Sequence, residues 1–197
     1  MAGRGPYAKG VAKREEILQT ALDLVARAGY GKATVREIAA AVGLSPTGLL
    51  HYFGSKEKLF AEILRRRDRV DIELTRRARD DRSVLDGVAE LIRHNAEVPG
   101  LVQFYTRFNA EATDPEHEAN GYFRERYEST RELFAAAVRH AQGSGELPAG
   151  IDPARLAPLL VALSDGLQSQ WLYDDGIDMA AGIGYLFELL RVAPPAG

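Results

Sequence analysis

The chain has 197 residues and no cysteine, which excludes disulfide-stabilised folds, thiol catalysis and cysteine-ligated metal sites. Its composition, 46% hydrophobic and 27% charged, is that of a globular protein large enough to bury a core. The longest apolar run, residues 156–163, is far shorter than the about 20 residues of a membrane-spanning helix. No apolar stretch follows the polar N-terminus, as a secretory signal would require. We therefore expect a soluble cytoplasmic protein with no membrane partner.

The charge is unevenly distributed along the chain. The formal net charge is −3, but residues 1–82 contain 17 Lys and Arg against 11 Asp and Glu, and the remainder contains 8 against 17. All five lysines lie in the first part. A basic N-terminal part on an acidic body favours an anionic partner, such as nucleic acid, that binds at one end of the molecule.

The first 82 residues show the hydrophobic period of helices. Apolar residues over 17–28 recur at spacings of three and four and predict a first helix. Thr34, with a glutamate three residues later, predicts a capped second helix. Ser45, followed by proline, predicts the start of a third helix, and Ser55 predicts the start of a fourth.

The helical period continues to the C-terminus. Further helices are expected at roughly 83–97, 101–112, 117–142, 153–173 and 179–191. No segment shows sustained alternation with period two, so no sheet is expected. The sequence therefore predicts an all-α fold of about nine helices.

The second and third helices, joined at Gly43, are typical of a helix–turn–helix, whose second helix enters the major groove of DNA. With about 100° per residue, the helix that starts at Pro46 has two different sides. The apolar side consists of Leu49, Leu50 and Phe53, and the other side of Thr47, Gly48, His51 and Tyr52. We expect the apolar side to pack on the protein and the polar side to face a duplex, although many surface helices without a DNA contact look similar.

Groups suited to phosphate surround this motif. The helix starts at Thr34 and Ser55 offer unpaired backbone N–H groups. Lys56 lies in the first turn of the fourth helix, where a cation is unfavourable unless an anion lies between it and the helix. Lys13 belongs to a basic segment that could follow the DNA backbone. Each lysine alone could be a solvated surface charge, but their position at one end of the chain favours phosphate contacts.

Residues 11–71 resemble the DNA-binding domain of the TetR/AcrR family of one-component repressors. The matching stretches are Ile17-Leu18-Gln19-Thr20-Ala21, Ala28-Gly29-Tyr30, Thr34-Val35-Arg36-Glu37-Ile38-Ala39, Val42-Gly43-Leu44-Ser45 and Leu49-Leu50-His51-Tyr52-Phe53-Gly54-Ser55-Lys56-Glu57. The resemblance implies a helix–turn–helix over residues 34–53. Leu50 departs from the family pattern, because relatives often have a phosphate-contacting tyrosine at this position. In this chain that contact is expected to be lost or to be made by Tyr52 instead. The candidate DNA-binding residues are Thr34, Arg36, Ser45, Pro46, Thr47, Gly48, His51, Tyr52, Lys56 and Lys13.

Seven of the sixteen aromatic residues lie within positions 104–134. Such clustering is typical either of an apolar pocket with a few polar groups or of an aromatic-rich core. The family resemblance implies a chamber for a small-molecule effector in this part of the chain. The candidate ligand-binding residues are Phe104, Arg107, Phe108, Tyr127, Gln168 and Trp171.

The last two predicted helices carry a regular stripe of large apolar residues. Ala162 and Gly166 lie together on another face of the first of them. The resemblance implies that these helices form a four-helix bundle between two subunits, although they could simply cover their own body. We expect a symmetric homodimer, which would match a palindromic operator. The candidate interface residues are Leu156, Leu160, Leu163, Leu167, Ile183 and Phe187.

Nothing in the sequence supports an enzyme. The four histidines lack metal-ligand spacing, and Glu116-His117-Glu118 is interpreted as a solvated turn because neighbouring residues do not share a helix face. No nucleophile or phosphate-binding motif is present. We therefore expect no catalytic residue, no bound metal and no cofactor.

Four segments are expected. They are a flexible basic arm (1–10), a helix–turn–helix DNA-binding domain (11–71), a helical ligand-binding and dimerisation domain (72–192) and a loose tail (193–197). The expected function is that of a ligand-responsive transcriptional regulator, as a repressor released from DNA by a small, largely apolar effector. The alternatives are a protein-interaction module that has lost DNA binding, and a small-molecule carrier or degenerate enzyme.

Overall fold

The computed structural model describes residues 6–77 and 84–191, and every regular element within these ranges is an α-helix. The helices are α1 (Pro6–Ala28), α2 (Val35–Ala41), α3 (Pro46–Phe53), α4 (Lys56–Arg77), α5 (Val84–Ala96), α6 (Pro99–Glu111), α7 (Asn120–Gly143), α8 (Pro153–Trp171) and α9 (Met179–Arg191). The predicted all-α fold is confirmed. Over the described ranges, none of these helices has the length and apolarity that crossing a membrane would require.

Local sequence signals determine where α2 and α3 begin. Thr34 Oγ1 accepts a hydrogen bond from Glu37 N at 3.3 Å, and the Glu37 carboxylate accepts one from Thr34 N at 3.0 Å. Before α3, Ser45 Oγ accepts from Gly48 N at 3.0 Å. Gly43, in the turn between them, has a φ of +69°, which glycine adopts without steric cost. Both helices therefore begin where their caps predict.

The N-terminal arm differs from the prediction. α1 begins at Pro6, so residues 6–10 are helical rather than part of a flexible arm. Proline is favoured at the first helical position, because its missing N–H would have no helical partner there and its φ is already helical. Residues 1–5 of the arm and the predicted tail, 193–197, lie outside the described residues.

The chain forms two units whose borders differ in one respect from the predicted domains. The N-terminal unit contains the chain up to Val70 together with Val98–Ala119, and the C-terminal unit contains Asp71–Glu97 and the chain from Asn120 onward. The first border, after Val70, lies one residue before the one predicted after residue 71. The assignment of α6 to the C-terminal body needs correction, because this helix belongs to the N-terminal unit.

A close helix crossing explains why α6 joins the N-terminal unit. A Cβ atom at Gly100 would lie 2.3 Å from the carbonyl oxygen of Val25 and 2.5 Å from that of Ala26, so only glycine lets α6 approach α1 this closely. One and two turns further, Phe104 and Phe108 pack against Phe60 of α4, with ring centroids 5.0 and 5.6 Å apart. This aromatic packing joins α6 to the core of the N-terminal unit.

The C-terminal unit packs α5, α7, α8 and α9 around one apolar core. Four of the predicted dimer residues belong to this core, namely Leu156, Leu160, Ile183 and Phe187, and all are at most 6% exposed. Burial within their own subunit leaves these side chains little surface for a partner, and their place at an interface stays a prediction. Leu163 and Leu167 are only partly buried, and they too pack against the core.

The opposite sides of the last two helices carry exposed apolar residues. Leu159 of α8 is 62% exposed, and Tyr185 and Leu189 of α9 are 62% and 53% exposed. Ala162, which shares a side of α8 with Leu159, is also exposed. The apolar surface that this unit leaves to solvent is therefore a different stripe from the predicted one.

Candidate nucleic-acid interface

Helix α3 divides its side chains between the protein core and solvent. Leu49 is fully buried and Phe53 is 7% exposed, so this side of the helix packs on the N-terminal unit. Thr47 and His51 are exposed, and Tyr52 is half-buried. The division agrees with the one predicted from the helical period for these residues, whereas Leu50, expected on the buried side, is half-buried. It leaves a short polar side chain and an imidazole available for a partner, with no large apolar group on that side.

The remaining predicted DNA-binding residues of α2, α3 and their caps are exposed or half-buried. Thr34, Arg36, Ser45 and Pro46 are exposed, and Gly48 is half-buried. The Thr34 hydroxyl also donates to the Glu37 carboxylate at 3.0 Å. Hydrogen bonds from the Thr34 backbone N–H and then from its hydroxyl lower the pKa of Glu37. The charged carboxylate thus holds the cap of α2 in place.

Arg14 fixes the end of α3. Its guanidinium lies 5.0 Å from the centroid of the Phe53 ring, a distance that permits a cation–π interaction. The same group lies 3.4 Å from the Glu62 carboxylate of α4. Arg14 thereby connects α1, α3 and α4, and it orients the helix that carries His51.

Lys13 has a similar internal role, which the sequence did not reveal. Its Nζ donates to the Glu16 carboxylate at 2.7 Å and to the carbonyl oxygen of Val42 at 3.3 Å. Val42 is the C-cap of α2, where the negative end of the helix dipole favours a cation. Lys13 therefore ties α1 to α2, and its predicted contact with DNA stays a prediction.

The start of α4 presents a hydroxyl and two lysines. Ser55 Oγ accepts a hydrogen bond from Lys58 N at 3.1 Å and so caps the helix. Lys56 is exposed, and its Nζ lies 5.2 Å from the centroid of the Phe60 ring. Lys58 is exposed beside it. Free N–H groups and cations at one helix start suit an anion.

Two glutamates, one at the end of α6 and one in the segment that follows it, accept hydrogen bonds from hydroxyl groups of the N-terminal unit. The Tyr30 hydroxyl donates to the Glu111 carboxylate at 2.5 Å, and the Ser55 hydroxyl donates to Glu118. Burial, followed by the hydrogen bond to Glu111, raises the pKa of Tyr30. Sequence reasoning missed both contacts, because their partners are more than 60 positions apart. The only signal was the acidic composition of residues 111–118.

The turn that carries Glu118 is well defined. Ala119 N donates to His117 Nδ1 at 3.2 Å, and the His117 ring meets the edge of Phe108 with centroids 5.7 Å apart. Ala112 and Ala119, at the two ends of the turn, are buried. Glu116-His117-Glu118 is thus a turn, as predicted, but its histidine packs on the unit rather than standing in solvent.

The predicted ligand-binding residues are divided between the two units, three in each. Phe104 and Phe108 are at most 1% exposed in the core of the N-terminal unit, where they pack with Tyr30 and Phe60, and Arg107 is exposed beside them. Their burial needs no ligand to explain it. For these three residues, an effector contact stays a prediction.

The other three predicted ligand residues belong to the C-terminal unit. The Tyr127 hydroxyl donates to Asp165 Oδ2 at 2.7 Å. Gln168 is 6% exposed, and among the residues that the structure describes no donor reaches its buried Oε1. Trp171, one turn further along α8, is partly buried against the core. A buried acceptor without a donor is costly, so Gln168 is the predicted residue whose environment most needs a further group.

One open cleft in the C-terminal unit contains a predicted ligand residue. It has a volume of about 340 Å³ and is lined by Tyr127, Arg131, Pro158, Val161, Ala162 and Asp165. Its walls combine two charged groups with apolar carbon, and it opens on the exposed side of α8. Across residues 6–77 and 84–191, no three His, Asp or Glu side chains are placed to hold a metal ion together.

Family comparisons cover both units. A family model described as "Bacterial regulatory proteins, tetR family" matches residues 17–63, which include α2 and α3. A second family, described as "BetI-type transcriptional repressor, C-terminal", matches residues 82–190, which is more than half of the chain. The chain belongs to the TetR family of regulators. The resemblance that the N-terminal motifs suggested is confirmed.

Among curated relatives, the chain is similar to the HTH-type transcriptional regulator RutR of Escherichia coli K12, with 36% identity over 87 residues. This match covers 44% of the chain and only 41% of RutR. The HTH-type transcriptional regulator YfiR of Bacillus subtilis is 25% identical over 170 residues, covering 83% of this chain and 82% of YfiR.

Solved structures show the same fold. A transcriptional regulator from Saccharomonospora viridis in complex with choline superposes with a TM-score of 0.71 and 22% identity, covering 92% of this chain and 97% of that one. FadR from Bacillus subtilis, in complex with stearoyl-CoA, superposes with a TM-score of 0.69 and 19% identity, covering 90% and 97%.

Proposed function

We propose that this chain is a ligand-responsive transcriptional repressor that binds a palindromic operator as a homodimer and releases it when a small, largely apolar effector binds. The observation that carries the DNA-binding part is the exposed side of α3. Thr47 and His51 point to solvent, while Leu49 and Phe53 anchor the helix in the core. A helix held in this way can place its polar side in a major groove.

The surroundings of α3 support a duplex as the partner. Lys56 and Lys58 at the start of α4 suit phosphate, and Arg36 of α2 is exposed. Arg14 holds the end of α3 against α4, so the recognition side chains are presented by a rigid support. Phosphate groups would fix the position of the protein, and the side chains of α3 would read the bases.

A direct test is fluorescence anisotropy of the full-length chain with two labelled duplexes. One duplex contains the promoter region upstream of its own gene, and the other is a scrambled sequence of equal length and composition. We expect tighter binding of the promoter duplex at every salt concentration, because base readout adds to the phosphate term. Equal affinity for both duplexes would contradict sequence-specific recognition.

For the homodimer, the exposed stripe of α8 and α9 replaces the predicted one. Leu159, Tyr185 and Leu189 leave large apolar surface in solvent, and Ala162 would let a second helix approach closely. Exposed large apolar groups favour association, and a symmetric pair presents the same surface twice. A two-fold axis would also relate the two α3 helices, as a palindromic operator requires.

The effector part rests on the C-terminal unit. The fold accommodates small molecules, since one similar structure contains choline and another stearoyl-CoA. The unpartnered Oε1 of Gln168 favours an effector with at least one hydrogen-bond donor. Trp171 and Tyr127 would supply apolar surface near that group. The effector weakens DNA binding only by the difference in its affinity for the two states.

Native mass spectrometry of the freshly purified chain tests this part. We expect a retained small molecule, or one acquired from a metabolite extract, whose affinity falls in Gln168→Ala. Such a molecule should also displace the promoter duplex in the anisotropy assay. A ligand that binds the variant equally well, or that leaves DNA affinity unchanged, would contradict the proposed effector site.

A further inference from the structure

We propose that the Glu118 carboxylate competes with a DNA phosphate for the start of α4, and so sets a built-in limit on DNA affinity. This inference rests on the proposed function, because it needs a duplex as the partner. It adds a residue from outside the helix–turn–helix that tunes binding to DNA of every sequence.

The competing contact lies next to the recognition helix. Ser55 follows the last residue of α3 by two positions and caps α4 through its bond from Lys58 N. The same Ser55 hydroxyl donates to Glu118, so an anion already lies at the helix start where a phosphate is expected. Lys56 is adjacent in the chain and exposed. A carboxylate and a phosphate are favoured there for the same reason, the free N–H groups and positive helix end.

The structure holds Glu118 in this position rather than leaving it on a free loop. The next residue, Ala119, is buried, and the ring of the preceding residue, His117, packs against Phe108. The Tyr30 contact to Glu111 fixes the other end of the same segment. Because this segment belongs to the N-terminal unit, it accompanies α3 and α4 wherever that unit binds.

The charge of the segment has a consequence for binding. Residues 111–118 contain four carboxylates and no Lys or Arg, whereas residues 1–82 carry an excess of basic residues. A carboxylate next to an incoming phosphate must be displaced or must remain at a repulsive distance. Either way, phosphate binding near Ser55 is weakened regardless of base sequence, and removal of the charge restores it.

The test compares Glu118→Gln with Glu116→Gln in the full-length chain. Both positions are exposed, both substitutions remove one negative charge, and they are two residues apart in one turn. In the described residues, only the Glu118 carboxylate of this pair accepts a hydrogen bond from the start of α4. Affinity is measured by anisotropy with the promoter and scrambled duplexes at about 50 mM salt, and thermal unfolding checks that each variant is folded.

We expect Glu118→Gln to bind both duplexes about two- to fivefold more tightly than the wild type, as for a single surface charge contact. Glu116→Gln should change little. In a Ser55→Ala background the gain from Glu118→Gln should shrink, because the hydroxyl that holds the carboxylate is missing.

Three results would overturn the inference while the proposed function stands: wild-type binding with no gain in Glu118→Gln, an equal gain in Glu116→Gln, or an undiminished gain in the Ser55→Ala background. The last two results would show that the carboxylates weaken DNA binding by general electrostatic repulsion and not by competing for Ser55. Failure of the wild type and of Glu118→Gln to bind either duplex would overturn both the inference and the proposed function.

Discussion

His51 is the side chain on which we propose that sequence-specific binding depends most directly. It is exposed on α3, while Leu49 and Phe53 of the same helix are buried. We predict that His51→Ala lowers affinity for the promoter duplex about tenfold, because a side-chain contact to a base edge is worth about 1–3 kcal/mol. Affinity for the scrambled duplex should fall much less. Anisotropy with both duplexes measures the ratio.

The matched control is His140→Ala. His140 is exposed near the end of α7 in the C-terminal unit, and its replacement should leave both affinities unchanged. Equal losses on the two duplexes in His51→Ala would show that His51 contributes to general affinity rather than to base readout.

A second prediction for a single residue concerns the phosphate contact that we propose for Lys56. Lys56→Ala should weaken binding to all sequences alike and reduce the slope of log affinity against log salt by about one, since one phosphate contact is lost. Arg139→Ala removes an exposed cation from α7 and serves as the control. If the slope of Lys56→Ala equals that of the wild type, Lys56 does not contact phosphate.

Two other basic residues show what sequence reasoning misses at this scale. Lys13 donates to the carbonyl of Val42, and Arg14 lies over Phe53 and near Glu62. A basic segment in a sequence does not say which cations are used inside the protein, because that depends on the helix ends and rings that folding brings beside them. The structure makes both residues supports of α2 and α3.

At the scale of elements, α1 and α6 cross closely at Gly100. A Cβ atom at Gly100 would overlap the carbonyl oxygens of Val25 and Ala26, which are backbone atoms and cannot rotate away. We predict that Gly100→Ala lowers the free energy of unfolding by about 2 kcal/mol, since overpacking costs more than the gain in helix propensity. Urea unfolding measures the change.

Gly121→Ala is the control for this prediction. Gly121 is exposed in the first turn of α7, and a Cβ atom there would meet nothing within 4 Å. The same substitution should therefore leave stability unchanged or raise it by up to about 1 kcal/mol. If both variants are equally stable, the close approach of α6 to α1 is not required for folding.

Where a helix begins can be predicted from the sequence, but which unit a helix joins cannot. The starts of α2 and α3 are predicted by Thr34 and Ser45, because an N-cap hydroxyl and its N–H partner are three residues apart. The assignment of α6 to the N-terminal unit is not predictable in this way. It depends on Gly100 meeting α1, about 75 positions earlier in the chain, and no local pattern records that meeting.

For the whole molecule, the proposed homodimer gives a prediction in solution. Leu159→Glu places a charge in the exposed apolar stripe of α8, and burial of that charge between two subunits would be costly. Light scattering after size exclusion should give about twice the chain mass of 21.6 kDa for the wild type and a monomer for the variant.

Leu133→Glu is the matched control, because Leu133 of α7 is 40% exposed but lies on another helix. It should keep the mass of the wild type. A Leu159→Glu variant that remains dimeric, or a wild type that is monomeric, would contradict the proposed interface. Circular dichroism checks that both variants are folded, because loss of the dimer by itself lowers the unfolding temperature of Leu159→Glu.

The helices, their caps and the polar side of α3 follow from the sequence alone, because the relevant hydrogen bonds and periodicity span only three or four residues. Tertiary structure decides which apolar stripe of α8 becomes core. Leu156 and Leu160 are buried while Leu159 is exposed, although all three are leucines on one helix. Only the positions of α5, α7 and α9 distinguish them. The same holds for Glu118, whose contact with Ser55 exists because distant segments fold onto one unit.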